Sequence, residues 1–245
     1  MARYAIGDIH GCFKTYLALL EQLNITKADE VYILGDLIDR GPGSKAVMDH
    51  IMDMQEQGYA FTVIKGNHEW LMAQAIDETI PYCWDYRRFQ LWMKNGGVTT
   101  MMNFAFQKQD DLKKIDMKYF EFLKSTKHFV ELDNCYLVHA GFNFKAEDIF
   151  KESQDMFMVR DYYDKIDASK LNGKIIIHGH TPRDYQTLEA DIAEMKYPAI
   201  NIDTGCVYDI RSGIGRLCAI DVDTKKIYLQ ENVDKQMQKE MEGKG

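Results

Sequence analysis

The 245-residue chain lacks the raw material for several common designs. Its five cysteines (Cys12, Cys83, Cys135, Cys206 and Cys218) are odd in number, scattered and without a C-x-x-C pair. That argues against both a disulfide framework and a zinc knot, and reduced, mostly structural thiols are expected. No apolar run approaches the roughly 18 residues needed to span a bilayer. The N-terminus enters a strand almost at once, without the basic region, apolar stretch and cleavage site of a secretion signal. Cytoplasm is therefore the expected compartment, with no membrane partner. Basic residues are also short, with 30 Lys and Arg against 38 Asp and Glu, a net charge of −8. A general nucleic-acid binder, which neutralises phosphates with Lys and Arg, is not expected. A local cationic pocket stays open.

No repeat and no linker interrupts the sequence, and 46% of it is apolar, enough for the core of one α/β domain over residues 1–245. Residues 2–6, 31–34 and 61–64 read as short buried strands, each released by a glycine before a polar turn. Between them Phe13, Leu17, Leu20 and Leu23 recur at helical spacing, as do Val47, Ile51 and Met54, with Ser44 placed to cap the second helix and Gly58 to end it. A β-α-β-α-β order implies a parallel sheet, whose ligands gather at the carboxyl ends of the strands.

From about residue 69 to 128 the strand signal fades into aromatic and Met-rich helical patterns, with Tyr119, Phe120, Phe122 and Leu123 on one face. Strands return at residues 135–138, 175–177, 199–202, 217–222 and 227–230, the last two as a hairpin about Asp223-Thr224-Lys225. A polar tail follows residue 232.

Five of the apolar runs stop at turns carrying Asp, Asn or His: Gly7-Asp8-Ile9-His10, Gly35-Asp36-Leu37-Ile38-Asp39-Arg40-Gly41, Gly66-Asn67-His68-Glu69, His139-Ala140-Gly141 and His178-Gly179-His180. Hard oxygen donors and imidazoles collected on one rim are the layout of a metal site, where divalent ions neutralise carboxylates that otherwise repel. Alone, Asp8 or Asp36 would read as a turn former. His178 and His180 lie on one side of an alternating strand and compete for one role.

In order and spacing, the first three motifs resemble the signatures of the phosphoprotein phosphatase family of calcineurin-like metallophosphoesterases. His139-Ala140-Gly141 and Gly179-His180-Thr181-Pro182 extend the likeness, which covers roughly residues 2–222 and is best to the bacterial and phage serine/threonine phosphatase branch. The resemblance implies a four-layer α-β-β-α sandwich with a helical insertion at about residues 69–128. It also implies two divalent metal ions, with manganese expected and iron or zinc compatible with the donors. Asp8 and His10 would hold one ion, Asp36 would bridge, and Asn67, His139 and His180 would complete the second. His180 is preferred to His178 on the Gly179-His180-Thr181-Pro182 match. Pro182 stands where related phosphodiesterases have a further histidine.

The same resemblance makes His68 the general acid, Asp39 the carboxylate that orients it, and Arg40 and Arg160 the clamps on phosphate oxygens, alongside Asn67 and His68. No Ser or Cys nucleophile is required. A surface ion pair with Asp161 or Asp164 is the ordinary alternative for Arg160, and a structural turn is the ordinary reading of Asp203. Tyr82, Trp84, Tyr86, Phe89 and Trp92 read as core or lid packing before a substrate groove, Arg87 and Arg88 as solvated charges, and Gly96-Gly97 as a sharp turn or a hinge.

A phosphomonoesterase acting on phosphoserine and phosphothreonine in proteins or peptides is the expectation. Hydrolysis of symmetrical dinucleoside tetraphosphates is the second enzymatic reading. Those relatives generally lack the acidic residue found here as Asp39, and have Asp in place of Glu69. A binding module that kept the scaffold without the chemistry should have shed ligands, and this chain keeps them all.

Overall fold

In the computed structural model, residues 1–76, 86–210 and 213–235 are described. Tyr82, Cys83, Trp84 and the tail beyond residue 235 lie outside them. The first third alternates as expected: β1 (Arg3–Ile6), α1 (Phe13–Leu23), β2 (Glu30–Ile33), α2 (Ser44–Glu56) and β3 (Ala60–Val63). Helices then take over in α3 (Asn67–Ile76), α4 (Tyr86–Trp92), α5 (Val98–Asn103) and α6 (Met117–Ser125). The remainder contributes β4 (Phe129–Glu131), β5 (Cys135–Val138), α7 (Asp155–Met158), β6 (Ile175–His178), α8 (Tyr185–Glu194), β7 (Ala199–Asn201), β8 (Arg216–Asp221) and β9 (Ile227–Glu231).

The strands form two sheets, in the orders β3-β2-β1-β8-β9 and β4-β5-β6-β7. β1, β2 and β3 pair in parallel, as do β5, β6 and β7. β8 and β9 make the expected antiparallel hairpin.

Side-chain alternation sorts these strands into layers. Tyr4, Ile6, Val31, Ile33, Leu217 and Ala219 face a core shared with α1, α2 and the insertion helices. Their neighbours Ala5, Tyr32, Leu34, Cys218 and Ile220 join Cys135, Leu137, Ile177 and Ile200 between the sheets. Tyr136, Val138, Ile176 and Ala199 face outward again, under a layer built from residues 142–171. Strands buried on both faces need apolar residues throughout, and each fully buried aliphatic chain contributes about 1.5–3 kcal/mol. The four free thiols among the described residues (Cys12, Cys135, Cys206 and Cys218) are buried.

Some local expectations shift. Ser44 is the first residue of α2 and does not cap it; Gly43 holds that position. The Ser44 hydroxyl instead accepts the Asp39 backbone N–H at 2.9 Å. Phe13 and Leu17 are half-buried, while Thr15, Tyr16 and Leu19 turn inward. β4 was not anticipated, because its three residues are half-buried or exposed and leave no apolar run. Gly58 does end α2, with φ +86° and its N–H on Gln55.

Candidate metal centre

Six parallel strands run out at one rim. β1 leads into Asp8 and His10, β2 into Asp36, Asp39 and Arg40, β3 into Asn67 and His68, β5 into His139, β6 into His180 and β7 into Asp203. Asp8, His10, Asp36, Asp39, Asn67, His68, His139 and His180 are all buried. The turns are tight: His10, Asp36, Asp39, Arg40 and His180 have φ between 47° and 74°, a left-handed conformation that non-glycine residues keep only where their surroundings fix it. At Gly179 even one carbon would not fit, since a Cβ would lie 2.1 Å from Asp8 Oδ1. That close approach lets the His180 N–H donate to the Asp8 carboxylate at 3.1 Å.

Asp36 is the centre of the cluster. His10 Nε2 lies 3.6 Å from its Oδ2, His68 Nε2 3.8 Å from the same oxygen, and His139 Nε2 3.5 Å from its Oδ1. His139 Nε2 is also 3.1 Å from His180 Nδ1 and 3.2 Å from Asn67 Oδ1. Two groups of donors close enough to share an ion result, His10–Asp36–His68 and Asp36–His139–His180, with Asp36 in both. The Asp8 carboxylate, expected beside His10, accepts the His180 N–H, and the His68 ring lies edge-on to His10 with ring centroids 4.8 Å apart. Backbone carbonyls set two of the imidazoles: His10 Nδ1 meets Ile38 O at 3.0 Å and His139 Nδ1 meets Leu34 O at 2.7 Å. A proton on each Nδ1 leaves the Nε2 lone pairs aimed at Asp36.

Electrostatics fit cations at this rim. Burial keeps His10 and His180 neutral, lowering their pKa values to about 3 and about 2, and lowers that of His139 as well. Burial, Asp203 and Asp36 together push Asp8 well above the carboxylate range. Burial opposes the Asp36 carboxylate too, yet its pKa is held low by the histidines around it, among which His68 is the ring whose charged form is favoured. Neutral imidazoles beside crowded carboxylates present lone pairs and uncompensated negative charge. His180 Nε2 is buried and has no hydrogen-bond partner. Carboxylate, imidazole and amide oxygen together suit manganese, iron or zinc.

Within this cluster lies a buried His–Asp pair. His68 Nδ1 is 2.7 Å from Asp39 Oδ2, both groups wholly buried. Burial disfavours the His68 imidazolium, but Asp36 and Asp39 prevail and raise its pKa. Arg40 projects into the same space, Nη1 2.7 Å from His10 Nε2 and Nη2 3.1 Å from His68 Nε2. Arg160 is exposed at the edge and donates to Thr181 Oγ1 at 3.2 Å, next to His180.

His178 does not compete with His180. β6 ends at His178, whose Nε2 meets the Tyr163 hydroxyl at 2.7 Å, and the positive φ of His180 turns the next imidazole away into the cluster. The alternation argument failed because the strand stops first. Four further residues matter that the sequence reading left outside the site. Glu69 accepts backbone N–H groups from Asp36, Leu37 and Gly66 at 2.8–2.9 Å, stapling two of the turns together. Trp92 and Thr100 hydrogen-bond the Asp39 carboxylate. Asp203, buried behind Asp8, has its pKa pushed up to about 7 by burial. Glu69 carried a signal as the last residue of a motif, and Asp203 as part of Asn201-Ile202-Asp203-Thr204-Gly205, a segment resembling one near the family's site.

The profile of the calcineurin-like phosphoesterases matches residues 1–204, and the chain belongs to that family. Its members use a binuclear divalent metal centre, and the two donor groups sharing Asp36 accord with that. A symmetrical bis(5'-nucleosyl)-tetraphosphatase of Salmonella arizonae is 40% identical over 70 residues, 28% of this chain and 24% of that protein. The chain thus spans about a quarter of the length of that curated relative. A putative diadenosine tetraphosphatase has a similar structure, with TM-score 0.62 at 18% identity, over 93% of this chain and 91% of that one. So does a protein serine/threonine phosphatase from Saccharomyces cerevisiae with similarity to human PP5, with TM-score 0.62 at 15% identity, over 95% and 80%. At such identities these structures establish the fold alone. Among the described residues, no helix is long and apolar enough to cross a membrane.

Proposed function

We propose that this chain is a metal-dependent phosphomonoesterase whose substrates are phosphoserine and phosphothreonine in proteins or peptides. The observation that carries it is the buried Asp39–His68 pair at 2.7 Å. A serine or threonine alkoxide is a poor leaving group, and a placed proton donor is worth about 10²–10⁴-fold to its departure. A nucleotide phosphate leaves readily without one.

Two divalent ions held by Asp8, His10, Asp36, Asn67, His139 and His180, manganese being the proposed pair, would supply charge neutralisation at the phosphoryl oxygens and activation of water for in-line attack. The chain's own groups do the rest. Arg40 and Arg160 present planar guanidinium forks to phosphate oxygens. Arg40 donates to His68 Nε2 at 3.1 Å here, so its transfer to a phosphate frees that nitrogen to carry the proton. Asp39 holds Nδ1 and with it the ring's direction.

Hydrolysis of symmetrical dinucleoside tetraphosphates is the second reading, and the named relatives favour it over the first. Rates on a phosphoserine peptide and a dinucleoside tetraphosphate, measured side by side with manganese, separate them. Higher kcat/KM on the peptide, abolished by chelator, is expected; a large preference for the nucleotide would overturn the proposal.

A further inference from the structure

We infer that the turn between α4 and α5 is part of the reaction machinery, with Trp92 and Thr100 acting as positioning residues for the acid pair and the Gly96 backbone for Arg40; this rests on the reading of His68 as the acid. The Asp39 carboxylate is wholly buried, and a buried charge persists only where hydrogen bonds replace its water. His68 supplies one. Both others come from the insertion: Trp92 Nε1 donates at 2.9 Å to Oδ2 and 3.1 Å to Oδ1, and Thr100 Oγ1 donates to Oδ1 at 2.6 Å. Trp92 and Thr100 are themselves wholly buried, so their donors have no water to turn to.

The same segment holds the backbone beneath the pair. Asp39 and Arg40 are consecutive residues with φ 72° and 69°, a costly conformation for side chains of their size. The Asp39 N–H is shared by Ser44 Oγ at 2.9 Å and Thr100 Oγ1 at 3.1 Å, and the Arg40 N–H donates to Gly96 O at 3.2 Å. Gly96 has φ +109°, and a Cβ there would stand 2.7 Å from Arg40 Cγ, so only glycine lets the turn close on Arg40. With Oδ1 held by Thr100 and Oδ2 shared by Trp92 and His68, the carboxylate cannot rotate freely. The His68 ring, and the direction in which Nε2 points, are fixed with it.

The test compares kcat and KM on a phosphoserine peptide and on p-nitrophenyl phosphate, whose nitrophenolate leaves without a donor. Wild type, Trp92→Phe, Thr100→Val, Thr100→Ser and His68→Asn are assayed, with manganese content measured for each. Trp92→Phe keeps the ring and loses the N–H. It should lower kcat on the peptide about 10-fold or more, as expected for a lost hydrogen bond to a buried charge, with little change on the nitrophenyl ester, in KM or in metal content. Thr100→Val should show the same selectivity and Thr100→Ser should restore it, so the result survives if Trp92→Phe folds poorly. Equal losses on both substrates in the Trp92 and Thr100 variants, with His68→Asn still selective, overturn this inference alone. Equal losses in His68→Asn overturn the acid reading and the inference with it.

Discussion

The rim of strand ends and the α4–α5 turn serve the same pair of side chains and are written in different ways. At the rim, donors and backbone come in one stretch: Asp36, Asp39 and Arg40 follow β2 within a single turn, and Asn67 and His68 open α3 directly after β3. Across the insertion, Trp92 and Thr100 stand in two short helices and converge on Asp39 only because a π-type turn at Met93–Gly97 folds the chain back there. A site can thus keep its donors in compact motifs and leave their aim to a region with no motif of its own.

The largest effect should come from the rim. Asp36→Asn removes the carboxylate common to both donor groups. Loss of even an indirect partner costs roughly 10–100-fold in metal affinity, so more than about 10²-fold is expected here. Both substrates should fall together. Equilibrium manganese titration reads this directly, and unchanged occupancy would remove Asp36 from the bridge. Next in size is His68→Asn, which should cost about 10²–10⁴-fold on the phosphoserine peptide and far less on p-nitrophenyl phosphate. That difference between leaving groups would separate metal donors from proton donor, and its absence would merge them. Arg160→Ala comes third. Arg160 is exposed and the Thr181 hydroxyl it meets is neutral, so a rise in KM of about 10-fold is expected with kcat nearly unchanged. A fall in kcat with constant KM would place Arg160 closer to the chemistry than this geometry does.

The sequence shows much of the rim because strands buried on both faces leave apolar runs that end abruptly, and the polar turns stand out against them. The β1-α1-β2-α2-β3 order and the β8–β9 hairpin were legible for the same reason. What it conceals has physical causes too. β4 is an edge strand too exposed to leave an apolar signature. Ser44 resembled a helix cap, a role that depends on backbone angles one residue away. Trp92 read as packing, because burial of an indole ring and use of its N–H give the same sequence pattern. Which acceptor a buried donor finds is settled by tertiary convergence, and only coordinates reveal it.

Glu69 gives the finest test of the boundary between donors and support. The resemblance to phosphatases treated Glu69 as a mark of protein substrates, since tetraphosphatases have Asp there. Its carboxylate, however, is buried and accepts the N–H groups of Asp36, Leu37 and Gly66 at 2.8–2.9 Å. Glu69→Asp withdraws that carboxylate by one methylene, leaving at least one buried donor short of its acceptor, at about 1–3 kcal/mol. For a chain of this length that is a fall in Tm of about 2–4 °C per kcal/mol. If Glu69 is a staple, the Tm falls while the ratio of kcat/KM between phosphoserine peptide and dinucleoside tetraphosphate stays constant. If that ratio moves towards the nucleotide, the staple also sets substrate choice, by shifting the Asp36 turn beneath the phosphate, and support and chemistry are one device at this position.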